Sequence, residues 1–412
     1  MPIQVSNSGL DFSELHQRMQ WYVDQEIIPC CNTLVLRGTE VIDLKTYGPL
    51  SHEKGQVGGQ ASNRDLPVDA IFRMYSNTKL VTSLAAMILY EQGCFTLDDK
   101  LESFLPEFVD MQVLRSDAIQ ASDTEAAEQS INIRQVMSHS SGLSYAFVEP
   151  ESLIDQTYAA AGVNPMAMEG KTLESLCAEL AKLPLAFQPG TQWRYSLGTD
   201  VLARLVEVWS GQPFDEFLKQ RIFTPLEMHD TDFFVPVVKR DRLTALYLPN
   251  DLLDVMASGY SLMDASAISE APTFLSGGGG LMSTLPDYLS FIQMLINNGT
   301  WNGTTFVKPE TLELMRSNQL AAGIGVNFPM WDMTGTVFGL GFALKEKPVE
   351  GEPASAVGEH HWGGLVGTHS WMSPNAGANG EGISGICMTQ LMPAFWHPFS
   401  HDFKRLVYKI TG

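Results

Sequence analysis

Ser76 and Lys79 are the residues whose types and spacing most directly suggest catalysis. They begin a run, Ser76 to Glu91, that is followed by Gly93 and is apolar on every side, which predicts a helix buried inside the protein. Residues three apart share one face of a helix, so Lys79 can reach the Ser76 hydroxyl. Burial would lower the pKa of this lysine until it can accept a proton, and the helix N-terminus would stabilise an alkoxide on the serine. The pair indicates a serine nucleophile with a lysine base, although the spacing is also typical of a helix-capping serine followed by an exposed lysine.

Two later segments could complete such a site. Tyr195 follows a turn at residues 189–190 and directly precedes a predicted helix; the alternative interpretation is a half-buried aromatic side chain with a hydrogen-bonded hydroxyl. The run 361–367 (HWGGLVG) predicts a strand whose adjacent glycines allow a close approach of the backbone. Its N–H groups could form an oxyanion hole with the Ser76 N–H, or the glycines could make room for a neighbouring side chain.

Other catalytic motifs are absent from the sequence. There is no Gly-x-Ser-x-Gly nucleophile elbow, no His-Glu-x-x-His zinc motif, no phosphate-binding loop, and no Gly-x-Gly-x-x-Gly between a strand and a helix. His360, His361 and His369 lie in one segment, but adjacent residues of a strand face opposite ways. The sequence therefore predicts neither a metal site nor a cofactor.

In their order and spacing, Ser76-x-x-Lys79, Tyr195-Ser-Leu and Trp362-Gly-Gly resemble the family VIII carboxylesterases, which are relatives of class C β-lactamases and penicillin-binding proteins. Three further segments are similar to that family: 137–143 (MSHSSGL), 277–284 (GGGGLMST) and 338–342 (FGLGF). The resemblance runs from about Asp11 to the C-terminus, nearly the whole chain.

The resemblance implies an acyl-enzyme mechanism in a site between two lobes. Ser76 would attack the carbonyl carbon, while Lys79 and Tyr195 would share the base and acid work; which of the two takes the first proton stays open. The backbone N–H groups of Ser76 and Leu365 would hold the oxyanion. The substrate-binding residues that the resemblance implies are Trp362, Gly363, Gly364 and Tyr145.

Two departures from the lactam-handling relatives favour an ester substrate. Those relatives carry Lys-Thr-Gly where this chain has Trp362-Gly363-Gly364, and an Asn where it has Leu197. Both changes remove polar groups that engage a charged lactam or peptide. The predicted function is hydrolysis of short-chain carboxylic esters, with weak or no β-lactamase activity.

Three alternatives remain. The segment 139–145 (HSSGLSY) is also similar to acyltransferases that load acyl groups onto polyketide alcohols; these use the same acyl-enzyme and differ only in the acceptor. A β-lactamase or D-amino peptidase is the second alternative. A non-catalytic binding protein on the same fold is the third, since a fold does not fix a function.

Strand and helix patterns indicate how these residues are positioned. The N-terminus reads as an amphipathic helix, and β-rich runs on either side of 37–39 (RGT) predict a hairpin. Helices are predicted at Leu173–Leu183 and at Asp200–Trp209, with Gly211 after the latter, and Thr284 to Asp287 predicts a capping box. The remaining predicted elements are strands at Val337–Leu344, His360–Trp371 and Ile383–Leu391 and a last helix at Ser400–Ile410.

Strands near both chain ends with helices between them predict an α/β (α+β) fold of the β-lactamase/transpeptidase type, in which an antiparallel sheet flanked by helices is built from both ends and a mainly helical lobe is inserted. We expect residues 1–90 and 272–412 to form the sheet lobe and residues 91–271 the helical lobe. A chain of 412 residues is long enough for two lobes.

Composition limits the partners and the compartment. A formal net charge of −21 disfavours nucleic acid and anionic membranes, which leaves a small-molecule ester as the expected partner. The five cysteines are odd in number and lack a disulfide framework, and no segment reads as a signal peptide or as a membrane span. We therefore expect a cytoplasmic protein, whose oligomeric state the sequence does not indicate.

Overall fold

The computed structural model describes residues 3–51, 64–164, 168, 170–264, 270–329, 331 and 333–412. The helices in these residues are α1 (Ser13–Asp24), α2 (Thr78–Glu91), α3 (Ile133–Met137), α4 (Leu153–Ala160), α5 (Leu173–Leu180), α6 (Gly198–Ser210), α7 (Phe214–Leu218), α8 (Leu285–Ile296), α9 (Pro309–Met315) and α10 (Pro398–Thr411). The strands are β1 (Cys31–Arg37), β2 (Glu40–Tyr47), β3 (Ile71–Arg73), β4 (Gln112–Leu114), β5 (Thr124–Ala126), β6 (Leu246–Pro249), β7 (Tyr260–Asp264), β8 (Met282–Thr284), β9 (Thr300–Trp301), β10 (Thr304–Thr305), β11 (Thr336–Phe338), β12 (Ala343–Lys345), β13 (His360–Gly364), β14 (Thr368–Ser373) and β15 (Ile383–Met388).

The main sheet has seven strands in the order β11-β12-β13-β14-β15-β1-β2, and every neighbouring pair is antiparallel. The hairpin of β1 and β2 comes from the N-terminal end of the chain and the other five strands come from the C-terminal end. The predicted fold class, an antiparallel sheet built from both chain ends, is confirmed. The exact limits of the two lobes stay a prediction.

Alternating side chains let the sheet bury both of its faces. In β1, Leu34 and Leu36 point into the core that contains α2, whereas Val35 points into the core formed with α1 and α10. Helix α2 is buried along its length from Thr78 to Leu89, as its continuous apolar pattern predicted, and it packs against α6. The residue that begins α2 is therefore held between the sheet and the helices.

Two predicted strands are wrong in their extent, because each is a hairpin. The run Val337–Leu344 divides into β11 and β12, and Gly341 between them has a φ of 93°. The run His360–Trp371 divides into β13 and β14, with Gly367 at a φ of 82° in the turn. Glycine adopts this left-handed region without strain, so these positions reverse the chain inside what reads as one apolar run.

Helix ends differ from the prediction by a few residues. Helix α2 begins at Thr78 rather than Ser76, after a 3₁₀ turn at Tyr75–Asn77, and α5 ends at Leu180. At α8, the Thr284 side chain accepts the Asp287 N–H, but the reciprocal bond of a capping box is missing. The Asp287 carboxylate instead accepts from the Asp230 N–H and the Thr231 hydroxyl. Among the described residues, no helix has the length and apolar character required to span a bilayer.

Candidate active site

Ser76 lies in a tight turn that several buried contacts hold in place. Tyr75, directly before it, has a φ of 44°, a left-handed conformation that costs a non-glycine residue about 1–3 kcal/mol. Asn77, directly after it, is fully buried; its amide donates to the Thr368 carbonyl (2.9 Å) and its Oδ1 accepts from the Ser370 hydroxyl (3.1 Å). Strand β14 thus fixes the turn, and the turn projects the Ser76 side chain.

The structure brings Ser76, Lys79 and Tyr195 together. Tyr195 Oη donates to Ser76 Oγ at 2.7 Å, and Lys79 Nζ lies 3.3 Å from the same oxygen. Lys79 Nζ also sits 4.6 Å from the centre of the Tyr195 ring. Tyr195 comes from the segment before α6 and Lys79 from the first turn of α2, so the packing of these two helices sets the distances.

Lys79 is 1% exposed, and its ammonium group has three nearby oxygen atoms. Besides Ser76 Oγ, it donates to Tyr145 Oη (3.0 Å) and to the Gly278 carbonyl (2.7 Å). Burial lowers the pKa of Lys79 to about 7, against the opposing charge of Asp200. A lysine with this pKa can release and take up a proton near neutral pH. Tyr145, which the resemblance placed among the substrate-binding residues, lies beside the lysine and also borders the cavity next to Ser76.

Trp362 lies directly beside Tyr195, and its predicted contact with a substrate stays a prediction. It is 1% exposed, and its indole N–H donates to Tyr195 Oη at 3.2 Å. Burial raises the pKa of Tyr195, and the hydrogen bonds with Ser76 and Trp362 oppose that rise. The tryptophan is buried because β13 is an interior strand, where its ring packs against Tyr195, Phe338 and Phe395.

Gly363 and Gly364 lie close to β14 and to the turn before Ser76, and their predicted contact with a substrate stays a prediction. A side chain on Gly363 would collide with the His369 ring, and one on Gly364 with the Met74 carbonyl and Thr368 Oγ1. These glycines therefore allow β13 to pack closely against β14 and against the turn that carries Ser76. Leu365 follows in the hairpin turn and lines the cavity; its N–H donates to no acceptor within the described residues.

A cavity of about 390 Å³ opens beside Ser76. Its wall is mostly apolar and includes Phe147, Phe233, Leu246, Met263, Phe274 and Leu365. Arg73 and Asp264 contribute the charged groups to the wall, and they form an ion pair with each other at 3.3 Å. The cavity can therefore accept an uncharged, apolar group of modest size.

Asp200 and His139 are two buried groups of the site that the sequence did not single out. Asp200 lies in the first turn of α6 and is fully buried; burial raises its pKa and the charge of Lys79 opposes the rise. The His139 ring packs edge-on against Tyr195 at 5.0 Å, and burial together with Lys79 holds its pKa well below the usual value. The signal for His139 was its position inside the segment 137–143, which resembles the family, whereas Asp200 lies outside the segments that carry the resemblance.

His360 and His361 point to opposite faces of the sheet, as strand geometry predicts, whereas His361 and His369 lie on the same face and both pack against the Trp331 ring. His360 packs against Phe342, whereas His361 Nδ1 lies 3.1 Å from Glu359 Oε1. His369 packs against Gly363 and Phe395. The described part of the chain contains no cluster of His, Cys, Asp or Glu that could hold a metal ion.

A seven-stranded antiparallel sheet packed on a buried helix, with a Ser-x-x-Lys pair at the start of that helix, defines a serine hydrolase of the β-lactamase-like superfamily. The chain belongs to the beta-lactamase family, whose model matches residues 19–399. Protein Rv1367c of Mycobacterium tuberculosis (strain ATCC 25618 / H37Rv) is 31% identical over 75% of each chain.

Two further proteins are similar to this chain in sequence or in fold. Esterase EstB of Burkholderia gladioli is 26% identical over 92% of each chain. The solved structure of "EstCE1, a hydrolase with promiscuous acyltransferase activity" has a fold similar to this one, with a TM-score of 0.77, 23% identity, and coverage of 96% of this chain and 97% of that one. The predicted membership of the β-lactamase-like superfamily is confirmed, and the similarity to EstB fits a family VIII esterase within it.

Proposed function

We propose that this protein is a carboxylesterase that hydrolyses short-chain, uncharged esters through an acyl-enzyme on Ser76. The observation that carries the proposal is the Ser76 hydroxyl, which lies 2.7 Å from Tyr195 Oη and 3.3 Å from Lys79 Nζ beside an apolar cavity. A serine with two such neighbours can lose its proton as it attacks a carbonyl carbon.

The pKa values suggest how the two neighbours divide the work. The pKa of Lys79 is about 7, so at neutral pH a large fraction of the amine is unprotonated and can take the Ser76 proton. The pKa of Tyr195 is raised by burial, so its hydroxyl keeps a proton and can pass it to the departing alcohol oxygen. In the second half-reaction a water molecule attacks the acyl carbon, and its proton follows the same route in reverse.

Backbone groups would stabilise the negative charge on the carbonyl oxygen. The candidates are the N–H groups of Ser76 and Leu365, since both residues border the cavity. Removal of one donor of this kind typically lowers kcat by about 10²–10³-fold.

The size and charge of the cavity support the choice of substrate. A volume of about 390 Å³ has room for a short acyl group, and the mostly apolar wall suits an uncharged one. The Arg73 guanidinium is neutralised by Asp264, so it offers no free cation to the carboxylate of a β-lactam. The lysine that the lactam-handling relatives carry at position 362 is also missing. The name of EstB supports an ester substrate.

An acyltransferase activity is the second candidate, because EstCE1 is described as a hydrolase with promiscuous acyltransferase activity. Both reactions share the acyl-enzyme and differ in whether water or an alcohol attacks it. A product assay with an added alcohol separates them.

Labelling and substrate preference test the proposal. A p-nitrophenyl phosphonate should add one label per chain on the Ser76 peptide, and Ser76→Ala should lose nearly all turnover of p-nitrophenyl acetate and butyrate. Ser83→Ala is the matched control, since Ser83 is buried in the same helix and should keep the activity. We expect kcat/KM for these esters to exceed that for nitrocefin at least about a hundredfold, the upper range for one charge-assisted hydrogen bond. Labelling of another serine, or a preference for nitrocefin, would contradict the proposal.

A further inference from the structure

The turn at residues 276–279 lies between α2 and α6 and touches the amine of the site. The Gly278 carbonyl accepts from Lys79 Nζ at 2.7 Å, and the Gly277 carbonyl accepts from the Thr82 hydroxyl at 2.8 Å. Both donors belong to α2, one turn apart. The turn therefore directs two carbonyl groups at the helix that carries Lys79.

Asp200 holds this turn from the other side. Its Oδ1 accepts from the Ser276 hydroxyl at 2.7 Å and from the Gly278 N–H at 3.0 Å. Its Oδ2 is buried and has no hydrogen-bond partner among the described residues. A Cβ atom added to Gly278 would lie 2.6 Å from this Oδ2 and 3.0 Å from Tyr145 Oη, so both oxygen atoms lie close to the position that a side chain on Gly278 would occupy.

We propose that Asp200 is a positioning residue of the Ser76, Lys79 and Tyr195 site: it fixes the turn so that the Gly278 carbonyl holds the amine towards Ser76, and it places a negative charge behind that amine. The inference deepens the proposed function and rests on it. Asp200 itself touches neither Ser76 nor the space for a substrate, so it acts through Gly278 and Lys79.

The geometry leaves each proton of a charged Lys79 with an acceptor. The three donors of the ammonium group match Ser76 Oγ, Tyr145 Oη and the Gly278 carbonyl. If the turn moved, the amine would lose its shortest hydrogen bond, and the distance to Ser76 Oγ would no longer be fixed. A shift of about 1 Å in a reacting group can cost on the order of a hundredfold in rate.

The charge of Asp200 acts on the same amine. Burial lowers the pKa of Lys79 and Asp200 raises it. The other titratable groups that face the amine are Tyr145 and Tyr195, with His139 packed behind Tyr195. Burial raises the pKa of both tyrosines and lowers that of His139, which keeps all three uncharged at neutral pH. Asp200 therefore supplies the negative charge that opposes the effect of burial on the pKa of Lys79.

The consecutive glycines provide a matched pair of variants. In Gly278→Ala the new methyl group would meet Asp200 Oδ2 at 2.6 Å, whereas in Gly279→Ala the nearest atom would be 3.7 Å away, an ordinary contact. We expect kcat for p-nitrophenyl butyrate to fall on the order of a hundredfold in Gly278→Ala. The loss in Gly279→Ala should be far smaller. Equal losses in both variants would show that the contact between Gly278 and Asp200 is unimportant.

The pH profile separates the role of the charge from that of the hydrogen bonds. Asp200→Asn keeps an oxygen that can accept from Ser276 and Gly278 but removes the negative charge, so Lys79 should lose its proton more easily. The ascending limb of kcat/KM, near pH 7 in the unmodified enzyme, should then move about one pH unit lower. In Asp200→Leu the turn loses both hydrogen bonds, and kcat itself should fall at least about tenfold. An ascending limb that stays in place in Asp200→Asn would overturn the inference.

Ser276→Ala is a second variant that still tests the inference if the substitutions at Asp200 prevent folding. It removes one donor to the carboxylate without adding volume, and it should lower kcat severalfold with little change in thermal melting. Unchanged kcat in Ser276→Ala and unchanged kcat in Gly278→Ala together would also contradict the inference.

Phosphonate labelling of Ser76 distinguishes failure of this inference from failure of the proposed function. If the unmodified enzyme is not labelled at Ser76, the proposed function is wrong. If it is labelled there but the ascending limb of kcat/KM does not move in Asp200→Asn, only the role of Asp200 is refuted.

Discussion

At the scale of single residues, the site is a set of buried polar groups whose pKa values burial shifts away from their ordinary values. Burial brings the pKa of Lys79 down to about 7 and pushes that of Tyr195 up. The pKa of Lys79 therefore lies near neutrality and that of Tyr195 well above it, so the lysine can accept a proton while the tyrosine keeps its own. Environments that separate the pKa values of neighbouring groups are typical of acid–base pairs in enzymes.

If Lys79 and Tyr195 form one proton relay with Ser76, their removal should be strongly non-additive. We expect Lys79→Ala and Tyr195→Phe each to lower kcat on the order of a thousandfold, comparable to the loss of a positioned base. The double variant should be little worse than either single one, because the relay is already broken. Steady-state kinetics on p-nitrophenyl butyrate measures this, with melting temperatures as the control for folding. Losses that multiply would mean that the two side chains act independently.

At the scale of elements, the nucleophile turn depends on the close packing of β13 against it. Gly364, the last residue of β13, lies so near the Met74 carbonyl that no side chain fits between them. The Thr368 hydroxyl donates to the same carbonyl at 2.9 Å, and Asn77 binds the Thr368 carbonyl. The β13–β14 hairpin thus contacts the turn on both sides of Ser76 and holds it in place.

Gly364→Ala should therefore disturb catalysis more than its single added methyl group suggests. The methyl would push β13 away from the turn and shift Ser76 relative to Leu365, with an expected loss on the order of a hundredfold in kcat and about 1–3 kcal/mol in stability. Gly325→Ala is the control: its backbone is not left-handed and the nearest atom to a new Cβ is 3.4 Å away. Kinetics and urea unfolding on both variants would show whether the loss is specific to Gly364, and near-normal activity of Gly364→Ala would contradict the expectation.

Local patterns in the sequence predict some parts of this arrangement and miss others for physical reasons. The spacing of Ser76 and Lys79 places both on one helical face, and that contact is present. The burial of Trp362 is not evident from its own segment, because it depends on the hairpin that places β13 inside the sheet. Asp200 and Gly278 are 78 positions apart in the chain, so nothing local indicates that they meet. Contacts between distant segments depend on tertiary packing, which a periodic pattern does not encode.

At the scale of the whole molecule, a buried ionic cluster ties the C-terminal helix to the sheet. Glu359, fully buried just before β13, is paired with Lys404 of α10 at 2.9 Å and accepts from the Tyr408 hydroxyl at 2.5 Å. Lys404 also pairs with Glu352 at 2.9 Å, and Glu352 pairs with Lys345 of β12. Because β13 carries Trp362 and Gly364, this cluster supports the back wall of the site through the strand.

The cluster should make the fold sensitive to acid. Burial alone would raise the pKa of Glu359, but Lys404 and His361 hold it well below its usual value. A carboxylate whose pKa is depressed on folding contributes stability above its unfolded pKa of about 4.3, and that contribution is lost as the pH falls through the folded value. We expect Glu359→Gln to cost about 3 kcal/mol at pH 7, the lower end for breaking a buried pair, since Glu352 still accompanies Lys404. The difference from the unmodified protein should shrink below about pH 4, where the unfolded chain binds a proton and the native carboxylate does not.

Glu14→Gln is the matched control. It removes the exposed ion pair between Glu14 of α1 and Lys409, which lies on α10 like Lys404, and it should change stability little at either pH. Urea unfolding at pH 7 and at about pH 3 decides between these outcomes. Equal effects of the two substitutions would show that the buried cluster does not tie α10 to the sheet, whereas a large, pH-dependent effect of Glu359→Gln alone would identify the link between the last helix and the strand behind Tyr195.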